Sequence, residues 1–255
     1  MLPLAPVLPW KHFWRHMINL QHRSPQKELL DADNIPFADI RKNMQELDVI
    51  NRLLGGHAIT LHGMDSLVET KTNSITVCEI GCGGGDNIRA IDDWCRKRNI
   101  QPNLIGIDIK QECIAYAAER NKELNVSWVC NDYRLVEFDK PLPGIIFSSL
   151  FCHHFTQAEL IGMMRWMHDN CTKGFFINDL HRHPLAYYSI KWITNLFSRS
   201  YLVKNDAPLS VARGFTKTEW ETILKAAGIS NYSIKWKWAF RHLIVVYKTT
   251  ALTNS

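Results

Sequence analysis

The sequence lacks any apolar run long enough to cross a bilayer, and it lacks cysteine pairs with C-x-x-C spacing. Because a membrane-spanning helix needs about 20 apolar residues, no integral membrane segment is predicted. The seven cysteines lie mostly within apolar segments, which predicts buried free thiols and a cytoplasmic protein. The apolar first ten residues contain three prolines and no basic region before them, so a signal peptide is not expected.

A strong excess of charge of one sign is also absent. The chain has 30 lysines and arginines against 25 aspartates and glutamates, for a net charge of +5. The basic residues are spread along the chain, whereas nucleic-acid-binding proteins concentrate them on one face. We therefore expect no nucleic-acid partner. A chain of 255 residues can bury a sizeable core without disulfides or structural metals, and both a monomer and a homodimer are compatible with it.

From about residue 75 onward, short apolar runs alternate with amphipathic stretches. This rhythm predicts an α/β fold with a doubly wound, Rossmann-like, mostly parallel sheet. The predicted strands are Ile75–Ile80, Asn103–Ile107, Val126–Cys130, Gly144–Ser149 and Gly174–Asn178, and the predicted helices between them are Asn87–Arg98, Gln111–Asn121 and Gln157–Asn170. The last two strands, Tyr232–Trp238 and His242–Lys248, are only a few residues apart, which predicts an antiparallel C-terminal hairpin.

The chain is predicted to divide into an N-terminal helical cap at residues 1–70 and an α/β domain at residues 71–255, with a helical lid insertion at about residues 181–215. In the cap, Asp39–Leu54 has apolar residues at helical spacing and is ended by two glycines. In the lid, Asp206–Ser210 is predicted to form a structured loop. The segment Trp10–Leu20 mixes aromatic and basic residues, which suits contact with a membrane surface or a lipid-like substrate as well as packing on the body.

The segment VCEIGCGGGDN at residues 77–87 is the most informative motif. A short apolar run ends in Glu79, is followed by Gly81, Gly83 and Gly85, and leads directly into an amphipathic stretch. A strand, a glycine-rich turn and a helix in this order let a ligand lie against the backbone, because glycine has no side chain and accepts positive φ angles. The motif therefore predicts a site for a nucleotide-like cofactor.

The ends of the next two predicted strands carry acidic residues that suit such a cofactor. Asp108 can accept both hydroxyl groups of a ribose, Ile109 can lie against an adenine, and Asp132 can accept the adenine amino group. The loop reads E-x-G-x-G-x-G with acids on both sides, Glu79 and Asp86, whereas a dinucleotide-binding loop reads G-x-G-x-x-G. Acids suit a ligand with a cationic amino group and no phosphates, so S-adenosylmethionine is the predicted cofactor.

In the segments CEIGCGGG, GIDI, CNDY and IIFSSLFCHHF, the chain resembles a class I S-adenosylmethionine-dependent methyltransferase of the small-molecule type related to the ubiquinone and menaquinone methyltransferases. The resemblance covers residues 77–178 well and the first 60 residues poorly. The helix Met44–His57 resembles the helix that those enzymes fold over the cofactor. The resemblance implies cofactor contacts at Glu79, Gly81, Gly83, Gly85, Asp108, Asp132, Tyr133 and Ser148–Leu150. The residues predicted to bind the cofactor are Glu79, Gly81, Cys82, Gly83, Gly85, Asp108, Ile109, Asp132, Tyr133, Ser149 and Leu150.

Two departures from the family pattern stand out. Gly144 stands where strand four often begins with aspartate, which leaves cofactor binding intact. The nitrogen-methylating signature (Asp/Asn)-Pro-Pro-(Tyr/Phe) is absent and SSLF stands in its place, so methylation of amides and nucleobases loses support. The resemblance favours a phenolic or quinol-like oxygen as the acceptor. The alternatives are methylation at carbon or nitrogen of another small metabolite, a nicotinamide-dependent dehydrogenase, and a non-catalytic partner or scaffold protein.

Histidines after the fourth and fifth predicted strands are candidate general bases. His154 and His181 are predicted to lie nearest the methyl acceptor, with Asp179 orienting one of them. Hydrogen-bonded structural histidines, and an aspartate that caps the next helix, are the simpler alternatives. The residues predicted to contact the substrate are His153, Asn178, Tyr188 and Arg213.

The same two loops offer a looser alternative, a metal site. Adjacent histidines and an H-x-H pair on separate loops are weak signals for a metal, and no metal is expected. Aromatic residues of the lid, such as Trp192 and Phe197, are predicted to pack in the core or to wall the pocket. The candidate ligands of the metal alternative are Cys152, His153, His154, Asp179, His181 and His183.

Overall fold

The computed structural model describes residues 18–32 and 34–248. The apolar first ten residues and most of the segment Trp10–Leu20, a candidate for contact with a membrane or a lipid-like substrate, lie outside the described residues. No helix within the described ranges combines the length and the hydropathy needed to cross a bilayer.

A seven-stranded sheet forms the centre of the fold, with the strand order β3-β2-β1-β4-β5-β7-β6. Strands β1 to β5 run parallel, and β7 lies antiparallel between β5 and β6. The α/β class, the mostly parallel doubly wound sheet and the C-terminal hairpin predicted from the sequence are confirmed. The strands are β1 Ser74–Ile80, β2 Gln101–Asp108, β3 Val126–Cys130, β4 Ile145–Ser149, β5 Gly174–Leu180, β6 Tyr232–Lys237 and β7 Arg241–Tyr247.

Helices cover both faces of the sheet, and two apolar clusters fill the space between them and the strands. One cluster contains Met163 and Trp220, and the other contains Met64 and Ile88. The helices of the described residues are α1 Phe37–Leu53, α2 Gly56–Leu67, α3 Asp86–Arg96, α4 Gln111–Arg120, α5 Gln157–Asp169, α6 Pro184–Phe197, α7 Tyr201–Arg213 and α8 Lys217–Ala226. Short 3-10 turns lie at Leu29–Asp31, Tyr133–Leu135 and Cys152–His154.

The helix predicted in the N-terminal cap is followed at once by a second helix. Gly55 takes a left-handed conformation with a φ of 75°, and α2 starts at Gly56. The predicted end of this helix at the glycines is confirmed, since α1 ends at Leu53, but the second helix was not predicted. A left-handed glycine ends one helix and here also sets the direction in which the next one begins. α2 packs Ile59, Met64 and Leu67 into the core of the sheet, so this part of the chain does more than cap the cofactor site.

The segment predicted as a lid forms two helices, α6 and α7. Pro208 lies inside α7, so the segment Asp206–Ser210, predicted as a loop, is helical. The carboxylate of Asp206 accepts hydrogen bonds from the backbone N–H groups of Leu29 and Leu30 at 2.8 and 3.0 Å. These contacts with the N-terminal segment stabilise a helix that its proline alone would disfavour.

Gly63 on α2 faces the sheet, where a β-carbon would lie 2.5 Å from the ring of Phe176. We expect Gly63→Ala to lower the free energy of unfolding by about 1–3 kcal/mol, because the overpacked ring must move. Gly162 on α5 is the matched control, since a β-carbon there meets nothing within 4 Å, and alanine favours a helix by about 0.5–1 kcal/mol. Urea denaturation measures both; equal stability of the two variants would contradict this packing.

Candidate active site

A cavity of about 740 Å³ opens at the carboxyl ends of the parallel strands. The loops after β1, β2, β3 and β4 form its floor, and α1, α6, α7 and the β6–β7 hairpin close over it. The strand order reverses between β1 and β4, and open α/β sheets bind ligands at this switch point. The volume lies within the roughly 300–1,000 Å³ of small-molecule sites.

The glycine loop between β1 and α3 places bare backbone against this cavity. Gly81 has a φ of 70°, and a β-carbon on it would lie 2.3 Å from the ring of Phe151. The N–H groups of Gly81 and Cys82 donate to the carbonyl oxygen of Ile107 at 2.8 and 3.0 Å, which joins the loop to β2. Gly83 lines the cavity, and a β-carbon on it would meet nothing within 4 Å. A ligand can therefore approach this backbone closely.

Glu79 presents a buried carboxylate to the same cavity. Its Oε1 accepts a hydrogen bond from the Asn87 amide at 3.0 Å, while its Oε2 has no partner among the described residues. Burial raises the pKa of this carboxyl well above its usual value, and the carboxylates of Asp86 and Asp108 add to the effect. A cationic amino group at Oε2 would supply the hydrogen bond and the compensating charge that the buried group needs.

The carboxylate of Asp108 lies between the glycine loop and the end of β2. Its Oδ2 accepts from the N–H of Gly83 at 3.0 Å, and its Oδ1 accepts from the N–H of Lys110 at 2.9 Å. Burial raises the pKa of this carboxyl. Each carboxylate oxygen can accept a second hydrogen bond, which is what the two hydroxyls of a ribose require. Ile109 follows as an exposed residue on the same wall.

The strand end after β3 carries a carboxylate that is already paired. Asp132 accepts a hydrogen bond from the N–H of Arg134 at 3.0 Å and forms an ion pair with the Arg134 guanidinium. The ring of Tyr133 packs edge-on against Trp166, with centroids 5.2 Å apart, so it contributes to the core as well as to the cavity. The predicted cofactor residues that line the cavity are Glu79, Gly81, Cys82, Gly83, Asp108, Ile109, Asp132, Tyr133, Ser149 and Leu150.

Two residues at the start of α3 hold the loop in place. Gly85 does not line the cavity, and a β-carbon on it would lie 2.6 Å from Trp128. Asp86 accepts hydrogen bonds from Nε2 of His57 at 2.6 Å and from the Asn51 amide at 3.2 Å. The acid that follows the loop, expected from the sequence to attract a cationic ligand, is therefore engaged in attaching α1 and α2 to the cofactor site.

His153, in the turn after β4, is buried between two carboxylates. Its Nδ1 lies 2.8 Å from Oδ1 of Asp179, and its Nε2 lies 3.5 Å from Oε1 of Glu28. Burial alone would lower the pKa of His153, but Asp179 and Glu28 raise it to about 9. His153 is therefore an imidazolium at neutral pH. Asp179, predicted to orient a base, pairs with this residue and not with His154 or His181.

His154 lines the cavity and is oriented by a residue that the sequence analysis missed. Its Nδ1 lies 3.1 Å from Oδ1 of Asp31, and its Nε2 lies 3.8 Å from Oε2 of Glu28. The N–H of Glu28 donates to Oδ2 of Asp31 at 3.0 Å. The E-x-x-D spacing of such a capped turn is the signal in the sequence that points to this pair. We define the histidine cluster as Glu28, Asp31, His153, His154 and Asp179.

Three other predicted residues lie outside the cavity wall. The ring of His181 packs against neighbouring histidines, the nearest with its centroid 4.7 Å away. The Asn178 amide donates to a backbone carbonyl of α2 at 3.2 Å, and Tyr188 is 42% exposed on α6. The structure brings the two histidines after β4 together in the cavity and does not bring His181 to them.

Two arginines brace the turn that carries the histidines. Arg213 donates to the carbonyl oxygens of His153 and His154 at 3.0 and 2.8 Å, and Arg23 donates to that of His153 at 3.0 Å. Arg213, expected from the sequence at the substrate, does not line the cavity. Together with the His153 imidazolium, the two guanidinium groups balance the three carboxylates of the histidine cluster.

The histidine cluster also contains potential metal ligands. Ligand atoms of Glu28, His153 and His154 lie within 4.8 Å of one another. The thiol of Cys152, a candidate ligand in the sequence, instead contacts Ser148 and Met163 within the core. Because positive side chains already balance the carboxylates, the arrangement favours proton transfer over metal binding.

The raised pKa of His153 predicts a pH-dependent stability. An unfolded histidine has a pKa of about 6.5. The interaction of protonated His153 with Asp179 and Glu28 therefore stabilises the fold fully below that pH, and this stabilisation is lost as the pH rises through about 9. We expect the free energy of unfolding to fall by about 3 kcal/mol across this window. Urea denaturation at a series of pH values measures it.

His153→Gln should flatten this profile, whereas His168→Gln, at an exposed histidine on α5, should keep it. A profile unchanged in His153→Gln would contradict the assignment of the proton to His153.

Comparison with protein families agrees with the layout of the site. Residues 77–174 match the family model of a methyltransferase domain, which is less than half of the chain. The matched segment contains the glycine loop, Asp108, Asp132 and the turn with the two histidines. A search of curated proteins finds no match.

The fold has counterparts among solved structures. The plantazolicin methyltransferase BpumL, in complex with a triazolic desmethylPZN analog and SAH, aligns with a TM-score of 0.62 and 16% identity over 83% of this chain and 91% of that chain. Human N-acetylserotonin methyltransferase, in complex with SAM, aligns with a TM-score of 0.58 and 15% identity over 84% of this chain and 57% of that chain. At such low identity, these likenesses show the fold and leave the acceptor open.

Proposed function

We propose that this chain is an S-adenosylmethionine-dependent methyltransferase, which its domain match and its fold support, and that it methylates an oxygen of a phenolic or quinol-like small molecule. In this proposal it is a small-molecule enzyme related in type to the ubiquinone and menaquinone methyltransferases. S-adenosylmethionine is the cofactor, and it supplies a methyl group on a sulfonium that an acceptor can attack in line. The observation that carries the proposal is the His154–Asp31 pair, which lines the same cavity as the glycine loop.

The first two strand ends hold the cofactor in this proposal. The oxygens of Asp108, fixed by two backbone N–H groups, accept the ribose hydroxyls. The unpartnered Oε2 of Glu79 accepts from the α-amino group. Gly81 and Gly83 let the methionine portion lie against the backbone, and Ile109 borders the adenine. These residues fit the cofactor because the carboxylates of Glu79 and Asp108 can accept hydrogen bonds from ammonium and hydroxyl groups, whereas they would repel a pyrophosphate.

The histidine cluster manages the acceptor's proton. A phenol must lose its hydroxyl proton as its oxygen takes the methyl group, and neutral histidine is the natural base near pH 7. Asp31 holds Nδ1 of His154, which leaves Nε2 as the accepting atom, and Glu28 lies 3.8 Å from that nitrogen. His153 already carries a proton and cannot accept another, so it positions Glu28 instead.

The remaining wall of the cavity is apolar and aromatic, which favours a flat or hydrophobic acceptor. Such a wall also excludes water, so the proton leaves to the positioned histidine and not to bulk solvent. The nitrogen-methylating signature is absent after β4, which supports oxygen over nitrogen. The apolar residues that line this wall include Phe151, Phe155, Ile190, Val211 and Phe240.

A methyl-transfer assay with isotopically labelled S-adenosylmethionine tests the acceptor. The matched substrates are an alkylated hydroquinone, the corresponding aniline, and the fully O-methylated hydroquinone as the control without a free hydroxyl. We expect label in the hydroquinone alone, with mass spectrometry locating the methyl on oxygen. Label on nitrogen or on a ring carbon would replace this proposal, and cofactor binding without transfer to any of a broad acceptor panel would favour the scaffold alternative.

The same assay separates the base from a metal. We expect turnover to persist in the presence of a chelator, because the cluster acts through protons. Loss of turnover that Zn²⁺ restores would contradict the base and assign Glu28, His153 and His154 to a metal site.

A further inference from the structure

Helix α6 exposes a continuous apolar face. Leu185, Tyr188, Trp192 and Leu196 follow one another at i, i+3, i+7 and i+11, which places them on one side of the helix. Trp192 is 76% exposed and Phe197, at the end of the helix, is 75% exposed. The sequence predicts that these aromatic residues pack in the core or wall the pocket. For Trp192 and Phe197 the core interpretation is wrong, because both side chains are largely exposed.

The tip of the β6–β7 hairpin adds two exposed tryptophans beside this helix. Trp236 is 54% exposed and Trp238 is 71% exposed. The ring of Phe240 stacks on that of His183, the residue before α6, with centroids 5.0 Å apart, which joins the hairpin tip to the helix. We define the aromatic rim as Leu185, Tyr188, Trp192, Leu196, Phe197, Trp236 and Trp238.

The aromatic rim adjoins the entrance of the cavity through its two hairpin tryptophans, whereas its residues on α6 lie beside the cavity-lining face of that helix. Trp236 and Trp238 line the cavity and are also exposed, as is Ile193 at 37%. Residues that are both exposed and cavity-lining mark its mouth, so an apolar acceptor would enter across this surface. Soluble proteins seldom expose a contiguous apolar patch of this kind without a partner.

The charge around the aromatic rim indicates what that partner is. Residues 180–205 and 222–248 contain no aspartate or glutamate. Within them, the basic residues Lys191, Arg199, Lys204 and Lys235 are exposed. Two acids of α1 contact the chain just after α6, and both are hydrogen-bonded: Glu46 accepts from the N–H of Arg199 at 3.1 Å, and Asp39 accepts from the Tyr201 hydroxyl at 3.3 Å. An apolar aromatic face on segments that carry basic residues and no acids of their own matches an anionic membrane interface, where tryptophan and tyrosine sit at headgroup level.

We propose that the aromatic rim docks on an anionic phospholipid bilayer and places the mouth of the cavity at the level of the headgroups. The docking rests on surface residues outside the catalytic cluster, so it holds or fails separately from the chemistry of the acceptor. Its consequence for the enzyme is that a lipid-like acceptor reaches the cavity from the bilayer without crossing water.

Co-sedimentation of the full chain with vesicles tests the proposal. We expect binding to phosphatidylcholine–phosphatidylglycerol vesicles and much weaker binding to phosphatidylcholine alone, with added salt weakening the former. The double variant Trp192→Ser/Phe197→Ser should bind about tenfold or more weakly. Leu135→Ser is the matched control. Leu135 is 70% exposed and follows β3, the edge strand farthest from the β6–β7 hairpin, so its substitution should leave binding unchanged.

The charge contribution has its own pair of variants. Lys191→Glu should weaken binding to the anionic vesicles by about fivefold or more. Lys173→Glu makes the same change just before β5. This position is at the amino ends of the parallel strands, opposite the cavity, so the change should have little effect.

Three results would overturn the proposal. The first is equal vesicle binding by the wild type and Trp192→Ser/Phe197→Ser. The second is binding that Trp10→Ser/Trp14→Ser in the N-terminal segment abolishes while the rim variant retains it. The third is a lipid-free dimer, seen by analytical ultracentrifugation, that the rim variant dissociates, because the rim would then be covered by a second copy of the chain.

Discussion

Asp108→Ala is expected to weaken S-adenosylmethionine binding by about 10²–10⁴-fold. In the proposed function its carboxylate accepts a hydrogen bond from each ribose hydroxyl, and a hydrogen bond to a charged group contributes about 1.5–3 kcal/mol. Its two oxygens are already fixed by the N–H groups of Gly83 and Lys110, so the wild-type protein spends little free energy on ordering them. Isothermal titration calorimetry of the variant against the wild type measures the loss.

Asp132→Ala provides the matched comparison for Asp108. The carboxylate of Asp132 is paired with Arg134, so less of its acceptor capacity is free, and we expect its loss to cost about tenfold or less. Thermal unfolding of each variant controls for loss of the fold. Equal effects of the two substitutions on binding would contradict the assignment of the ribose to the second strand end.

His154→Ala is expected to lower the turnover number by about 10²–10⁴-fold while cofactor affinity stays within about twofold of the wild type. This is the range that general acid–base catalysis contributes, and His154 belongs to the acceptor side of the cavity rather than to the glycine loop. Asp31→Asn should lower turnover by about tenfold, because the carboxylate that orients Nδ1 of His154 is lost.

His168→Ala controls for the general effect of removing a histidine, since His168 lies on α5 away from the cavity. Unchanged turnover in His154→Ala would remove it from the mechanism. A large loss in His181→Ala instead would return the role of base to the other residue that the sequence offers.

The cofactor half of the site was predictable because its signals are local. Glycines at fixed spacing after a strand, followed by a helix, can be read within one segment, and each following strand end contributes its residues to the same edge of a parallel sheet. Asp108 and Ile109, predicted from their positions after the second strand, therefore lie on the cavity wall. Gly85 was predicted to contact the cofactor but does not line the cavity. Its position against Trp128 could not be predicted locally, because that side chain comes from another strand.

The acceptor half was not predictable in the same way. Glu28 and Asp31 lie more than 120 residues before the histidines that they contact, and no periodicity joins segments so far apart. Asp179 pairs with His153, and Asp31 pairs with His154. This pairing depends on how the N-terminal segment folds across α7. Local propensity failed at Pro208, where tertiary contacts allow a helix to continue, and it did not show that a second helix starts at Gly56.

The central claim is that the cavity above the glycine loop binds S-adenosylmethionine. Titration calorimetry of the wild-type full chain with S-adenosylmethionine, and separately with NAD, tests it most directly. The account predicts one S-adenosylmethionine site per chain and no heat of binding with NAD. A folded protein that binds NAD, or that binds neither ligand, would contradict it.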